Sequence, residues 1–296
     1  MVAMPAPKLP LLCPVCFQPL EPAGPHPSGH GRLLCGSSHS FDAARQGYFN
    51  LLVGKGTAFE ADTAEMVEAR FNFLGKGHYL PLAEAVAAAV VPALPRDRAV
   101  VLDSGTGTGH YLRVLLDAAA ANGREVAALG LDISKFALRR AARLNPEAVN
   151  LAWDVWQPLP VKDNSVDAVT VIFAPRNAPE FARVLRPAGL LAVVTPRPGH
   201  LASIAEPAGM LGIEEGKENR LAGAMEPHFT IESARDIDFP LALTRKEAAD
   251  LAFMGPAGHH SDRTAIAARL EGQPEPVLAE ARFRLTVFRP ATARTQ

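Results

Sequence analysis

Residues 99–116, AVVLDSGTGTGHYLRVLL, constrain the fold of this chain more than any other stretch. A short apolar run ends at Asp103. Three glycines at alternate positions follow (Gly105, Gly107 and Gly109), and an amphipathic stretch begins directly after them. That order is strand, tight turn, helix, the nucleotide-binding opening of a doubly wound α/β sheet. The loop reads D-x-G-x-G-x-G rather than G-x-G-x-x-G. An acid ahead of the first glycine and the tighter spacing suit a nucleoside ligand without a pyrophosphate.

S-adenosyl-L-methionine is such a ligand, because its amino-acid end needs backbone donors and an acidic partner. A lone glycine loop is a weak signal, so the rest of the unit has to agree. EVAALGLDIS is a second apolar run, and Asp132 stands where an acid accepts both hydroxyls of a ribose. SKFALRRAARL follows with helical periodicity and Ser134 as its N-cap. AVNLAWDVWQPLP is a third run ending at Asp154, in place to meet an adenine amino group. SVDAVTVIFAPRN reads as a fourth strand, and FARVLRPAGLLAVVTP as a helix, a turn and a fifth strand. Further on, IESARDIDFPLAL is a strand, TRKEAADLAFM a helix opened by a Thr244/Glu247 capping box, DRTAIAARLEG a helix and VLAEARFRLTVFRP a closing strand. Acids at three successive strand ends behind a glycine loop predict a Rossmann-like α/β sheet of the class I S-adenosylmethionine-dependent methyltransferase type.

All three cysteines lie near the N-terminus, in the pattern Cys13-x2-Cys16-x18-Cys35-x3-His39. Two short-spaced pairs supply the four ligands of a tetrahedral zinc ion with little loss of chain entropy. His26 and His30 are rivals for the fourth position, but only His39 completes a second tight pair with Cys35. The Pro- and Gly-rich stretch between the pairs reads as a hairpin joining two metal knuckles. Too little apolar sequence lies here for a separate core, so metal (Zn2+) is expected to supply folding energy to a small structural module.

Composition excludes several classes. A formal charge of −1 over 296 residues leaves no basic field, so any polyanion site has to be a local patch. No apolar run reaches the roughly 18–20 residues that span a bilayer, and MVAMPAPKLPLL lacks the layout of an export signal. The reducing cytoplasm is the expected compartment, where clustered cysteines bind metal more often than they pair. The expected domains are a zinc-binding module at 1–56, a helical linker at 57–95, and the Rossmann-like sheet at 96–296.

Nearly end to end, the chain resembles the bacterial 23S rRNA guanine-N1 methyltransferases, in particular the branch associated with resistance to tylosin-type macrolides. The resemblance is carried by CPVC, CGSSHSFDAARQGYFNLL, ADTAEMVEARFNFL, GHYLPL, LDSGTGTGHYL, GLDISK, FAPRNAPEFARVLRPAG, VVTPRPGHL and MGPAGHH. It implies S-adenosylmethionine as donor, a zinc module that helps hold an rRNA hairpin, and methylation of one guanine at N1. It also implies cofactor contacts from Tyr79, from Gly109 and His110 at the end of the glycine loop, and from His200. The family tends to dimerise, with RNA in a cleft between protomers.

The near-neutral charge departs from the surplus that nucleic-acid binders usually carry. Arg32, Arg45, Lys55 and Arg176 are the candidates for a local RNA surface, and Tyr48 and Phe49 for stacking on an unpaired base. N1 of guanine carries a proton and lies on the Watson–Crick edge. The target must therefore be unpaired or flipped, and the site needs a base or a means of stabilising the deprotonated ring. In FAPRN, Asn177 is the candidate for the guanine edge and Arg176 for a phosphate or the developing anion. Asp154, His200 and Glu206 are the candidate bases. A small-molecule methyltransferase and an RNA-binding protein with an inactive methyltransferase fold are the alternatives.

Overall fold

The computed structural model describes residues 9–23, 31–54, 56–210, 223 and 225–291. Three short strands come first: β1 (Leu20–Ala23), β2 (Arg32–Cys35) and β3 (Ser40–Asp42), an antiparallel sheet in that order. β1 and β2 are the arms of the expected hairpin, with Leu20 opposite Cys35. Its tip, with His26 and His30, lies outside the described residues, as does Lys55.

β4 (Phe49–Asn50) leaves this small sheet and joins a large one. The other strands there are β5 (Ala99–Ser104), β6 (Val126–Asp132), β7 (Val149–Ala152), β8 (Val166–Ile172), β9 (Leu185–Pro196), β10 (Phe229–Leu243) and β11 (Val277–Pro290). The order is β10-β11-β9-β8-β5-β6-β7-β4. Strands β4 to β9 pair in parallel, and β11 runs antiparallel to both β9 and β10. β5, buried at every position, stands where the strand order reverses. That reversal opens a crevice at the C-terminal ends of β5 and its neighbours.

Helices α1 (Ala64–Gly75), α2 (Leu80–Val90), α3 (His110–Ala121), α4 (Lys135–Leu144), α5 (Ala178–Val184), α6 (Ala202–Ala208), α7 (Arg245–Phe253) and α8 (Arg263–Leu270) accompany the sheet. Their starts follow side-chain chemistry. Thr63 accepts from the Met66 amide, Ser134 from the Ala137 amide, and Thr244 and Glu247 form the full capping box.

The N-terminal module does not rely on metal alone. Leu11, Leu20, Leu33, Cys13 and Cys35 belong to the same buried cluster as Leu102, Leu129, Val169 and Phe181 of the large sheet and α5. Backbone bonds from Leu12 N to Pro160 O (2.9 Å) and from Lys162 N to Pro10 O (2.8 Å) stitch the two together. β4 pairs with Leu151 and Ala152, covering an edge that would otherwise offer unpaired backbone groups. This seam corrects one expectation. Phe49 is a buried strand residue, and Tyr48 is buried against Leu138 and Ala142 of α4, so neither is available to stack on a base.

Leu51 is fully buried in the seam, and its N–H bonds Ala152 O at 3.2 Å. Leu51→Ala is expected to lower stability by about 2–5 kcal/mol in urea denaturation. Because module and sheet share a core, the expected transition is single. A separate early transition for the zinc module would show that the two fold independently.

Candidate active site and metal centre

The ligand atoms of Cys13, Cys16, Cys35 and His39 all lie within 4.8 Å of one another. Cys16 Sγ is 3.6 Å from Cys35 Sγ, and His39 Nδ1 is 3.6 Å from Cys13 Sγ and 3.4 Å from Cys35 Sγ. A tetrahedron of ~2.3 Å zinc–sulfur bonds has edges of roughly 3.7 Å, whereas a disulfide needs ~2.05 Å. The set therefore fits a zinc ion and not a cystine. The Gln18 amide holds the Cys16 thiol down at about 6, while burial raises that of Cys13. With four protein ligands the centre is closed, which is the structural kind.

At the crevice, Gly105 and Gly107 adopt φ of +77° and +54°, backbone that side chains rarely tolerate. A Cβ on Gly105 would sit 2.2 Å from the Cβ of Ala174, so the loop is pressed against the segment that follows β8. Asp132, at the end of β6, accepts from Gly107 N and Ser134 N, both at 2.8 Å, one on each carboxylate oxygen. Each oxygen retains a lone pair for a ribose hydroxyl. Burial raises the Asp132 carboxyl to about 6 despite those two donors. Asp103 is buried at the end of β5, accepts from Thr170 Oγ1 at 2.7 Å, and is also raised by burial. A cleft of about 490 Å³ is walled by Ala61, Asp62, Thr63 and Ala64 on one side and, on the other, by Ile133, Ser134, Lys135 and Phe136, the residues that follow Asp132.

Asp154 lies two residues past β7. Thr57 Oγ1 donates to its Oδ2 at 2.9 Å and Trp156 N to its Oδ1 at 3.0 Å. Asn177 caps the same corner, its Nδ2 bonding Val155 O at 2.8 Å. Arg176 is half-buried, and among the described residues it has no hydrogen bond or ion pair. Tyr79 and His200 meet through one ring, since Phe283 lies 5.1 Å from Tyr79 and 4.6 Å from His200 between centroids. Burial drives the Tyr79 phenol well above its usual range, with nearby Tyr111 adding to the effect.

Arg282 N donates to His200 Nδ1 at 3.0 Å, which places the ring proton on Nε2. Burial holds His200 at about 4, so near neutrality it presents a donor, not a base. His110, at the start of α3, bonds Thr108 and packs edge-on against Phe71 of α1. Gly109 packs against α4, where a Cβ would meet Asn145 at 2.5 Å. Among the described residues, neither His110 nor Gly109 has a hydrogen bond to Asp132. Glu206 is exposed on α6.

Two residues escaped the sequence reading. Phe173, the residue after β8, has φ +56° and is 44% exposed, with its ring 5.2 Å from that of Phe283. Arg70 of α1 falls four residues after buried Met66 and three before buried Phe73, a cation on an apolar stripe and so a signal in principle. It pairs with Asp62, donates to Met254 O at 2.6 Å, and lies 3.9 Å from the place a Gly107 Cβ would occupy.

Residues 11–54 match the family model described as RlmA, N-terminal, a zinc ribbon, and residues 101–189 match the Methyltransferase domain model. A Micromonospora griseorubida protein described as a 23S rRNA (guanine-N(1)-)-methyltransferase is 42% identical over 95% of this chain and 97% of its own. The chain belongs to that methyltransferase family. The 23S rRNA (guanine(748)-N(1))-methyltransferase of Streptomyces fradiae is 40% identical over 89% of this chain and 91% of its own. Among solved structures, loganic acid methyltransferase with SAH superposes with TM-score 0.55 at 11% identity, over 75% of this chain and 96% of its own. A chain of the Haloferax volcanii complex between the Trm112 activator and a methyltransferase gives 0.50 at 19%, over 79% and 100%. At those identities they show the fold alone. This methyltransferase thus combines the class I S-adenosylmethionine fold with a zinc ribbon, and its acids, glycine loop and thiols fit both groups. Among the described residues no helix is long and apolar enough to cross a membrane.

Two outcomes follow from this geometry. Elemental analysis is expected to find one zinc per chain, with Cys35→Ser losing the metal and lowering the thermal midpoint. Full stability without metal would remove zinc from the structure. Ribose hydroxyls donate to the ionised form of Asp132, so affinity for S-adenosylhomocysteine is expected to fall as pH drops through about 6. At pH 5 only roughly a tenth of such a carboxyl is ionised, giving roughly tenfold weaker binding than at pH 7.5. His110 and His200, both at about 4, stay neutral over that range, so a calorimetric titration reads Asp132 without their interference.

Proposed function

We propose that the chain transfers a methyl group from S-adenosyl-L-methionine to N1 of one guanine in a hairpin of 23S rRNA. The observation that carries this reading is the convergence, at one end of the sheet, of Asp103, Asp132 and Asp154 with Arg176 and Asn177, on a sheet whose edge is joined to a zinc module. Membership of a family whose relatives are named for that reaction supports it. In this reading residues 1–56 hold RNA, 57–95 help enclose the cofactor and 96–296 carry the catalytic sheet. A homodimer with RNA between protomers belongs to the same proposal, as does a role in macrolide resistance.

S-adenosyl-L-methionine, when bound, supplies an electrophilic methyl group on a sulfonium. Asp132 takes the ribose hydroxyls, and Asp154 retains acceptor capacity for the adenine amino group. Asp103, Tyr79 and the backbone of Gly105 and Gly107 face the amino-acid end. Arg70 belongs with them. Of its five N–H donors, one goes to Asp62 and one to Met254 O. The remainder are placed at the rim of the glycine loop for a carboxylate.

On the target side, Phe173 offers a ring face to the flipped guanine. Asn177, its amide nitrogen already committed to Val155 O, presents its carbonyl oxygen to the guanine edge. Arg176, without an acidic partner among the described residues, counters the negative charge the ring acquires as N1 loses its proton to solvent water. Stabilising that anion fits the geometry better than a dedicated base, since His200 presents a donor and both Asp154 oxygens already accept bonds.

Incubating the protein and S-adenosylmethionine with unmodified 23S rRNA, then mapping reverse-transcriptase stops, tests the reaction. A single cofactor-dependent stop one nucleotide before a hairpin guanine is expected, first at guanine 748, which the Streptomyces relative's name specifies. No stop on folded RNA despite cofactor binding would redirect the reading to a small-molecule substrate. For Arg70, calorimetry compares S-adenosylhomocysteine with 5′-methylthioadenosine, which lacks the amino-acid end. Arg70→Met is expected to weaken the former about 10- to 100-fold and leave the latter unchanged. Equal losses for both would make Arg70 a purely structural residue.

A further inference from the structure

α4 carries four cations and no acid. From Ile133 to Pro146 the sequence ISKFALRRAARLNP contains Lys135, Arg139, Arg140 and Arg143. Lys135, Arg139 and Arg143 are exposed and recur every four residues, so they form one stripe on the outward face, about 6 Å apart along the axis. Leu138, Ala141 and Ala142 are buried on the opposite face. Arg140 turns aside and lies 4.7 Å over the Phe71 ring.

Among the described residues, none of these four cations has an ion pair, and none is held in a hydrogen bond. Elsewhere the pattern differs. Along β9 to β11, Arg197 pairs with Asp236 and Asp238, Arg284 with Asp236, Arg282 with Glu280 and Arg289 with Glu232. Glu147, the first acid after α4, is itself taken by Arg113 of α3. A chain that is near neutral overall has therefore spent its acids elsewhere and left this face bare.

Helix stability does not account for the stripe. Cations in the last turn, such as Arg143, suit the negative end of the helix dipole. Lys135 stands at the opposite end, in a first turn that holds no acid, where a positive charge is unfavourable. The stripe also has a neighbour of the right kind. Tyr48 of the zinc module packs on Leu138 and Ala142, a Cβ on Gly47 would lie 3.8 Å from that of Ala142, and exposed Arg45 is two residues away. At the other end, exposed Phe136 lies 5.2 Å beneath the Arg139 guanidinium, a pairing of ring and planar cation suited to an unpaired base.

We infer that the outward face of α4 is a phosphate track for the substrate RNA, continuous with the zinc module at Arg45, with Phe136 and Arg139 as a stacking point. The inference rests on the rRNA reading and names the part of the catalytic domain that grips the backbone. It explains how a protein of net charge −1 holds a polyanion: three cations along the outward face of one helix, none of them neutralised by an ion pair among the described residues.

The test is the salt dependence of binding. Full-length protein and the Arg139→Gln/Arg143→Gln variant are titrated with the 23S rRNA hairpin over a range of potassium chloride, with S-adenosylhomocysteine affinity and thermal midpoint as fold controls. Each phosphate contact contributes roughly 0.7–0.9 to the slope of log K against log salt, so the variant is expected to lose about 1.4–1.8 from that slope. Its affinity at fixed low salt should drop about 10- to 100-fold, at about tenfold per lost contact. Cofactor affinity should stay within about twofold of the parent. Arg282→Gln, far along the sheet and ion-paired, should leave the slope unchanged. Hairpin binding by the parent with an unaltered slope in the double variant would overturn the track while leaving the rRNA reading intact. Absence of hairpin binding by the parent, with cofactor binding preserved, would overturn both. The single variant Arg139→Gln, expected to lose about half the slope change, answers the same question should the double variant fail the fold controls.

Discussion

Asp132 carries a negative charge into a half-buried position at the end of β6, and the glycine loop is what makes that tolerable. Gly107 and Ser134 each donate a backbone N–H to it, so the carboxylate ties the turn after β5 to the start of α4. A buried charge without such partners is strongly unfavourable. Its upward-shifted carboxyl shows that the compensation is partial. The residual capacity of that carboxylate awaits a ligand with hydroxyl donors. The turn of the loop at Gly107 and the start of α4 at Ser134 are both tied to this one group.

The zinc centre works differently from an independent finger. Its cysteines point into the same apolar cluster that backs β5, β6 and β8, and β4 adds two residues to the sheet edge. Metal closes the hairpin, while sheet pairing and apolar burial fix where that hairpin sits. Rigid attachment has a functional consequence. A surface that grips an RNA hairpin is useful to a transferase only at a set distance from the reacting methyl group. The shared core supplies that distance more firmly than a flexible linker would.

Electrostatics divide the molecule in two. Around β9 to β11 nearly every arginine is matched by an acid on a neighbouring strand. On α4 and at Arg176 the cations have no ion pair among the described residues, while Asp103 and Asp154 are buried and Asp132 is half-buried. Net charge therefore says little about binding here, because a near-zero sum conceals an ordered separation of sign.

The fold class was legible in the chain because it depends on local rules. Strand, glycine turn and helix follow from the period of apolar residues, and the capping residues Ser134 and Thr244 mark helix starts that the structure shows. The metal ligands were legible for the same reason, since close spacing brings Cys13, Cys16, Cys35 and His39 together with little help from the rest of the chain. What sequence could not decide is any relation between distant segments. Tyr48 and Phe49 read as candidates for stacking, yet pairing with β7 and packing under α4 buried them. Thr57 meets Asp154 across 97 positions, and Arg70 reaches Met254 across 184. The cations of α4 were visible as letters, but whether acids neutralise them depends on which strands and helices become neighbours. Periodicity and spacing thus determined the elements and the zinc ligands, while long-range packing alone decided which polar groups are partnered and which remain open to a ligand.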